Sequence, residues 1–259
     1  MQQDRRDFIR SIALAAAGGA VLRGQTAANP IGDLVAANRI LASHQIFDAY
    51  GHVSMRSEAN PQRYFMARSV AAELVTAADI LEYDLDSKVV GGPSPTPAVF
   101  LERFIHGEIY KAREDVKAVV HCHTPSLIPF GTTGVPLRAM FGLAGFLADG
   151  VPVFDIRKEF GATDLLVRDP ARGAALARAL GNKPVAMMRG HGAAVVAASL
   201  PVVVGRCIYL DMNAQVEQRA MALGGKITFL TPAEGKQSVA DDYRRAWELW
   251  RREIAAAER

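Results

Sequence analysis

The segment from Ala118 to His123 constrains the fold of this chain more than any other stretch. An apolar run leads directly into His121, Cys122 and His123, which is typical of a buried β-strand. On a strand, residues two apart point to the same side, so His121 and His123 can direct two imidazoles at one point. The segment therefore predicts a sheet strand that presents two nitrogen ligands together.

A third histidine, His191, lies in the glycine-flanked sequence 189–192. Three imidazoles leave coordination positions free for water or substrate, whereas structural metal sites are normally closed by four protein ligands. The pattern favours a catalytic divalent metal site at His121, His123 and His191. Two alternatives stay open: the histidines coincide by chance, or they are hydrogen-bonded polar groups of the core.

An acidic residue, Glu102, precedes this strand. Apolar residues recur at helical spacing and predict an amphipathic helix over 99–113. Its expected buried stripe is Leu101, Phe104, Ile105, Ile109 and Ala112. Glu102 falls at the edge of that stripe, with His106 and Tyr110 following in line. It is a candidate acid/base or fourth ligand; the alternative is a boundary residue paired with Arg103 or Arg113.

Several ordered motifs within residues 31–230 resemble the class II aldolase/adducin domain family. The matching pieces are Gly51-His-Val-Ser-Met-Arg56, the Glu102, His106 and Tyr110 helix, the strand 115–123 and the turn 189–192. The resemblance implies one divalent metal ion per subunit, Zn²⁺ or Mn²⁺, with Co²⁺ and Fe²⁺ also open. It also implies that Glu102 shuttles a proton or ligates the metal.

The order of predicted elements favours one domain over residues 29–259. Its helices and strands alternate without repeats or linkers, which predicts a three-layer α/β/α fold around a mainly antiparallel sheet. The resemblance implies the same class II aldolase-like fold, and a homotetramer with active sites at subunit boundaries. A final amphipathic helix over 233–257 carries Trp247 and Trp250, a candidate subunit contact that intrachain packing explains equally well.

The differences between this chain and the phosphosugar aldolases indicate which kind of substrate it binds. Those enzymes carry Asn in place of His52, a Thr-Pro-Ser-Gly phosphate loop in place of 66–70, and two serines in place of 100–101. Losing these donors disfavours a phosphate ligand, while the planar fork of Arg68 suits a carboxylate. We therefore expect a small-molecule acid as the substrate, with Arg68 and Ser69, together with His52 and Ser54, anchoring a second carboxylate.

The motif sequences look closest to the decarboxylase branch of the family, which acts on hydroxypyridine dicarboxylates and dihydroxyphthalates. This likeness implies a metal-dependent lyase that decarboxylates a hydroxylated aromatic (di)carboxylate through a metal-stabilised, enolate-like intermediate. One alternative is a class II aldolase or epimerase acting on a small hydroxy-carbonyl or sugar-type substrate. A remote alternative is a non-catalytic adducin-like or metal-storage module, although adducin-type relatives lack the metal histidines.

The first 28 residues resemble a twin-arginine export signal. Arg5 and Arg6 precede one polar residue and two hydrophobic ones, and the uncharged stretch 11–22 is too short to span a bilayer. We therefore expect passage through the twin-arginine machinery to the periplasm or beyond, with an uncleaved membrane anchor as the alternative.

Charge and cysteine content exclude other classes. The formal net charge is only +3, which gives no basis for a nucleic-acid partner. The chain has two cysteines, Cys122 and Cys207. Cys122 should point away from the flanking histidines as a small buried residue, and a disulfide framework is not expected.

Overall fold

Seven strands form one sheet in the order β3-β2-β1-β4-β7-β6-β5. The computed structural model describes residues 29–93, 96–238 and 242–257. The strands are β1 His52–Arg56, β2 Arg63–Ala67, β3 Ile80–Asp84, β4 Ala118–Cys122, β5 Val153–Phe154, β6 Val185–Met188 and β7 Gly192–Ala197. All neighbouring strands are antiparallel except β5 and β6. The predicted mainly antiparallel sheet is confirmed.

Helices cover both faces of the sheet. They are α1 Pro30–Ser43, α2 Phe104–Ala112, α3 Ile128–Thr132, α4 Arg157–Phe160, α5 Pro170–Leu180, α6 Leu200–Ala222, α7 Pro232–Gln237 and α8 Arg244–Ala257. One apolar core contains residues of α1, α6 and α8, and a second contains residues of α2 and α5. This arrangement confirms the three-layer α/β/α prediction.

The helices that frame the sheet begin at polar caps. The side chains of Asn29, Asp169 and Ser199 each accept a hydrogen bond from a backbone N–H in the first turn of α1, α5 and α6. A proline follows each cap within two residues, where its missing N–H costs no helical hydrogen bond. These local signals account for where the three helices begin.

Strand β4 divides its side chains between the two layers. Val120 and Cys122 belong to the core beneath α1 and α6, whereas Val119 belongs to the core beneath α2 and α5. His121 alternates with Cys122 and so lies on the α2 side. Cys122 therefore points away from the histidine, as predicted, and both Cys122 and Cys207 are buried and free.

Two helix predictions need correction. The expected helix over 233–257 is two helices, because Ser238 at the end of α7 adopts extended backbone. The predicted helix over 99–113 begins at Phe104, after a 3-10 turn at Leu101–Arg103. The change of helix type at the start leaves Leu101 exposed, and Ala112 is exposed at the helix end, so neither belongs to a buried stripe.

The tryptophans of α8 pack within the chain. Trp247 and Trp250 are both 7% exposed, and the ring of Trp250 meets that of His44 edge-on at 5.3 Å. Intrachain packing therefore accounts for both residues. None of the helices within 29–93, 96–238 and 242–257 combines the length and apolar character needed to cross a membrane. The predicted export segment, 1–28, lies outside the described residues.

Candidate metal and acid–base site

Strand pairing brings the three predicted metal histidines together. Because β4 and β7 are antiparallel, with His121 opposite Ala194, the end of β4 lies beside the turn that precedes β7. The Nε2 atom of His123 lies 3.0 Å from that of His121 and 3.2 Å from that of His191. We call His121, His123 and His191 the histidine cluster.

Glycines shape the turn that carries His191. Gly190 adopts the left-handed region with φ of +65°, which residues bearing a Cβ rarely enter. A Cβ on Gly192 would collide with the backbone carbonyl of Cys122. The glycine on each side of His191 therefore allows a tight turn and close contact with β4.

Hydrogen bonds on the far side of each ring orient the histidine cluster. Nδ1 of His121 lies 3.1 Å from the carbonyl of Ala193, and Nδ1 of His191 lies 3.1 Å from that of Leu165. Nδ1 of His123 lies 3.4 Å from a carboxylate oxygen of Asp48. These oxygens can only accept, which assigns the proton of each neutral ring to Nδ1.

The same assignment leaves three Nε2 lone pairs facing one another. Because none of the three Nε2 atoms carries a hydrogen, their lone pairs repel one another. A cation bound between them would relieve this repulsion. Neutral imidazoles whose second nitrogen donates to an oxygen are the usual form of metal-binding histidines. Burial, followed by His121 and His191, lowers the pKa of His123, which favours that neutral form. The donor set therefore fits a divalent metal ion.

Glu102 supplies an oxygen at the same point. One carboxylate oxygen, Oε2, lies 3.4 Å from Nε2 of His121 and 3.3 Å from Nε2 of His191. The other, Oε1, accepts a hydrogen bond from the backbone N–H of Val167 at 2.8 Å. One ligand atom from Glu102 and from each member of the histidine cluster lie within 4.8 Å of one another.

The electrostatics of Glu102 follow from these neighbours. Burial raises the pKa of its carboxyl group, but protonated rings at His121 and His191 outweigh burial and hold the pKa below its ordinary value. When those rings are neutral, a metal ion bound among them would supply the stabilising positive charge. The group is therefore a carboxylate that can ligate a metal or accept a proton. The alternative in which Glu102 pairs with Arg103 or Arg113 is wrong. Arg103 donates to backbone carbonyls instead, and Arg113 pairs with Asp115.

The site is accessible on one side. His121 is fully buried, whereas the side chains of His123 and Asp48 are 22% and 52% exposed. Tyr50 and Leu101 are exposed residues adjacent in sequence to this region. A substrate can therefore approach from the side of His123 and Asp48.

Behind the histidine cluster lies a buried chain of polar side chains. Nδ1 of His52 lies 2.7 Å from Nε2 of His106. The hydroxyl of Ser54 lies 2.6 Å from Nδ1 of His106 and 2.8 Å from the hydroxyl of Tyr110. His52 also faces His121 across β1 and β4, with ring centroids 5.2 Å apart. We call His52, His106, Ser54 and Tyr110 the His52 chain.

The other two predicted substrate residues lie apart from this arrangement. Arg68 donates from Nε to the carboxylate of Asp79 at 2.7 Å, and its side chain is 40% exposed. Ser69 is exposed, and its backbone N–H donates to the carbonyl of Ala98. Across the described part of the chain, no hydrogen bond or ion pair links Arg68 or Ser69 to Glu102 or the histidine cluster. Their substrate-binding role stays a prediction, as do those of His52 and Ser54.

Asp48 was missed by the sequence reasoning. Its Oδ1 accepts hydrogen bonds from the backbone N–H groups of Tyr50 and Gly51 at 2.8 and 3.1 Å, in addition to its contact with His123. An aspartate two or three residues ahead of a glycine turn is a recognisable capping signal. Nothing in the local sequence indicates that its partner lies 75 residues away.

Comparisons with known proteins identify the family of this chain. The family described as Class II Aldolase and Adducin N-terminal domain matches residues 32–218. Decarboxylase tropJ of Talaromyces stipitatus is 34% identical over 250 residues, covering 87% of this chain and 94% of that protein. The 3,4-dihydroxyphthalate decarboxylase of Arthrobacter keyseri is 28% identical, with coverage of 76% and 80%.

A solved structure supports the fold. The L-fuculose 1-phosphate aldolase from Glaciozyma antarctica PI12 superposes with a TM-score of 0.72 at 21% identity. The match covers 88% of this chain and 89% of the aldolase. At this level of identity the likeness establishes shared architecture, independently of the reaction.

Proposed function

Because this chain belongs to the class II aldolase and adducin N-terminal domain family and is a lyase, we propose that it is a metal-dependent decarboxylase of a hydroxylated aromatic acid. The observation that carries the proposal is the convergence of three Nε2 lone pairs on the carboxylate of Glu102, open on one side. The names of the relatives support carbon–carbon bond cleavage with loss of CO₂.

The histidine cluster would hold the metal ion. When bound, a divalent cation acts as a Lewis acid that draws electron density toward a chelating substrate oxygen as CO₂ departs. Imidazole nitrogens with one carboxylate suit Zn²⁺, and we propose one such ion per subunit, with Mn²⁺ as the second choice. The hydrogen bonds at the three Nδ1 atoms orient the rings so that their Nε2 lone pairs, which would hold the ion, face one another.

Glu102 would carry out the proton transfer that the reaction requires. Loss of CO₂ leaves the bonding electron pair on the ring carbon, and that carbon must gain a proton to give the product. Oε1 of Glu102 is held by the N–H of Val167, whereas Oε2 faces the histidine cluster. As a carboxylate, Glu102 would first take the proton of the substrate hydroxyl at Oε2 and then deliver that proton to the ring carbon, so that the product forms as a phenolate that solvent protonates. We assign both transfers to Oε2 because it is the oxygen directed at the reacting region.

An aromatic wall beside the site suits an aromatic substrate. Phe100 is 8% exposed, and its ring centroid lies 4.7 Å from that of His52. Because Phe100 replaces a serine of the phosphosugar aldolases, this wall offers contact to an apolar ring where those enzymes offer a hydroxyl. Arg68 remains our candidate for anchoring a second carboxylate of the substrate.

The proposal also includes location and assembly. We propose that residues 1–28 direct export through the twin-arginine machinery and that the chain forms a homotetramer. Fractionation of cells that produce the full chain tests export, because a cytoplasmic protein would contradict it. Light scattering of the purified protein tests assembly, because a monomeric mass at working concentration would contradict the tetramer.

One assay tests the reaction. The protein, loaded with Zn²⁺ and in parallel with Mn²⁺, is supplied with a panel of ortho-hydroxy aromatic mono- and dicarboxylates, and CO₂ release is measured. Glu102→Gln should abolish release while metal binding persists. The matched control is Glu108→Gln on α2, whose carboxylate pairs with Lys111 and should leave turnover unchanged. Absence of release across the panel would overturn the decarboxylase proposal, and aldehyde formation from hydroxy-carbonyl compounds would support the aldolase alternative.

A further inference from the structure

The His52 chain is buried, and the proposed reaction makes no use of three of its members. His106 and Ser54 are fully buried, Tyr110 is 1% exposed and His52 is 2% exposed. Its links measure 2.7, 2.6 and 2.8 Å, so each one needs a single hydrogen shared in a defined direction. The direction of one link therefore fixes the directions of the others.

Tyr110, at the end of the His52 chain farthest from His52, sets the donor direction of the three hydrogen bonds. The guanidinium of Arg56 lies 4.6 Å above the ring of Tyr110 and has only donors to offer. If Ser54 donated to Tyr110, the phenolic hydrogen would find no acceptor in the described part of the protein. If Tyr110 donates to Ser54, then Ser54 donates to Nδ1 of His106, and each link of the His52 chain joins one hydrogen to one acceptor. The one hydrogen left over then lies on Nε2 of His52, which is not one of the buried atoms without a partner, instead of on the buried hydroxyl of Tyr110. A buried donor without an acceptor is costly, so the second direction prevails.

Arg56 is itself fixed in place. Its guanidinium donates to four backbone carbonyls, and its side chain is 4% exposed. Burial lowers its pKa from the ordinary value, yet an arginine stays protonated in proteins. The chain therefore ends at a permanent cation, which cannot accept the hydrogen of Tyr110.

The same donor direction determines which ring nitrogens of His106 and His52 carry protons. His106 accepts at Nδ1, so it carries its proton on Nε2 and donates it to Nδ1 of His52. His52 then carries its own proton on Nε2. That nitrogen has no hydrogen-bond partner among the described residues, yet it is not one of the buried side-chain atoms that lack a partner. It therefore keeps some accessible surface, on a ring whose neighbours include Phe100 and His121.

We propose that Tyr110, Ser54 and His106 are positioning residues that hold His52 as the Nε2–H tautomer, and that this N–H donates a hydrogen bond to an anionic oxygen of the substrate. Burial lowers the pKa of His52 well below its ordinary value, consistent with a neutral donor. The identity of the acceptor, a carboxylate or phenolate oxygen beside the histidine cluster, rests on the proposed function. The tautomer rests on the hydrogen-bond geometry alone.

Nuclear magnetic resonance of the imidazole nitrogens tests the tautomer without any reaction. The chain has six histidines, and long-range ¹H–¹⁵N correlation distinguishes protonated from bare ring nitrogens in the Zn²⁺-loaded protein. His52 and His106 should each show a protonated Nε2 and a bare Nδ1, with His52→Gln assigning the His52 signals. A proton on Nδ1 of His52 would overturn the inference.

Titration with phthalate, benzene-1,2-dicarboxylate, tests the donor role. The Nε2–H resonance of His52 should shift on binding, and Ser54→Ala should weaken phthalate binding about threefold to tenfold, the value of one hydrogen bond. Ser54→Ala should also introduce an Nδ1–H population of His52, and Ser54→Thr, which keeps the hydroxyl, should restore both properties. The matched control is Ser57→Ala, since that buried hydroxyl contacts Asn60 and no histidine.

The outcomes separate this inference from the proposed function. If aromatic acids are decarboxylated while His52 does not respond to phthalate or to those acids, the donor role is wrong and the proposed function stands. If His52 responds to phthalate while no aromatic acid is decarboxylated, the proposed reaction is wrong and the donor role stands. Equal losses in Ser54→Ala and Ser57→Ala would overturn the positioning role.

Discussion

The carboxylate of Asp48 lies 3.4 Å from Nδ1 of His123, across 75 residues of sequence. In the same loop, the backbone N–H groups of Tyr50 and Gly51 donate hydrogen bonds to this carboxylate and fix its position. The other two members of the histidine cluster donate to neutral backbone carbonyls. His123 is therefore the member of the histidine cluster whose Nδ1 has an anionic partner, an arrangement that strengthens an imidazole as a metal ligand.

Asp48→Asn should weaken binding of Zn²⁺ about 10–100-fold, as loss of an outer hydrogen-bond partner of a metal ligand typically does. The amide oxygen can still accept from Tyr50 and Gly51, so the loop should keep its shape. Calorimetric titration with Zn²⁺ measures the change, with Asp86→Asn as the control because Asp86 pairs with Lys111 on the surface. Unchanged affinity in Asp48→Asn would show that the carboxylate does not tune His123.

His123→Ala should abolish tight metal binding and leave the fold intact, because the side chain is partly exposed and fills no core position. His44→Ala is the matched control, since His44 contacts Trp250 and lies outside the histidine cluster. Metal content after dialysis and the far-ultraviolet circular dichroism spectrum check the two expectations. Stoichiometric metal retained by His123→Ala would place the ion elsewhere.

Arg68→Ala should raise KM for aromatic dicarboxylates more than for monocarboxylates, because it removes a candidate partner of the second carboxylate. The pairing of Arg68 with Asp79 leaves the two Nη groups to meet a substrate. Arg63→Ala is the control, because that residue begins β2, which Arg68 directly follows, and pairs with Glu82. Equal effects of Arg68→Ala on both substrate classes would exclude carboxylate anchoring.

The stability of the metal-free protein should fall as pH falls from about 6.5. Burial, and after it His121, lowers the pKa of His106 to about 3, against 6.5 for an ordinary histidine. Between these values the unfolded chain binds a proton that the folded chain does not, so the free energy of unfolding decreases on acidification. The contribution of His106 is at most about 1.4 kcal/mol per pH unit.

Urea unfolding between about pH 5 and 6 measures this slope where most carboxyl groups remain ionised. His106→Gln should reduce the slope, whereas His44→Gln, at a half-buried position, should change it less. An identical slope for His106→Gln and the unaltered protein would mean that His106 is protonated in the folded state.

The sequence predicts the parts of the site that depend on local pattern. The spacing of His121 and His123 on an apolar strand and the glycines around His191 place the three rings, because strand geometry and turn geometry are short-range properties.

Other parts of the site depend on long-range contacts that no local pattern encodes. The N–H of Val167 reaches Glu102 across 65 residues, and the exposed Leu101 departs from the helical stripe because a 3-10 turn replaces the first helical turn. The break between α7 and α8 was missed because the residues on both sides of it are compatible with one amphipathic helix.

The alternation along β1 and β4 also restricts how this protein can change during evolution. His52 and Ser54 alternate with Val53 on β1, just as His121 alternates with Val120 and Cys122 on β4. Insertion or deletion of one codon within either strand would exchange the two faces and send the imidazoles into the apolar layer. We expect that descendants of this gene vary here by substitution alone, while changes in length accumulate in exposed connections such as 223–226, between α6 and α7.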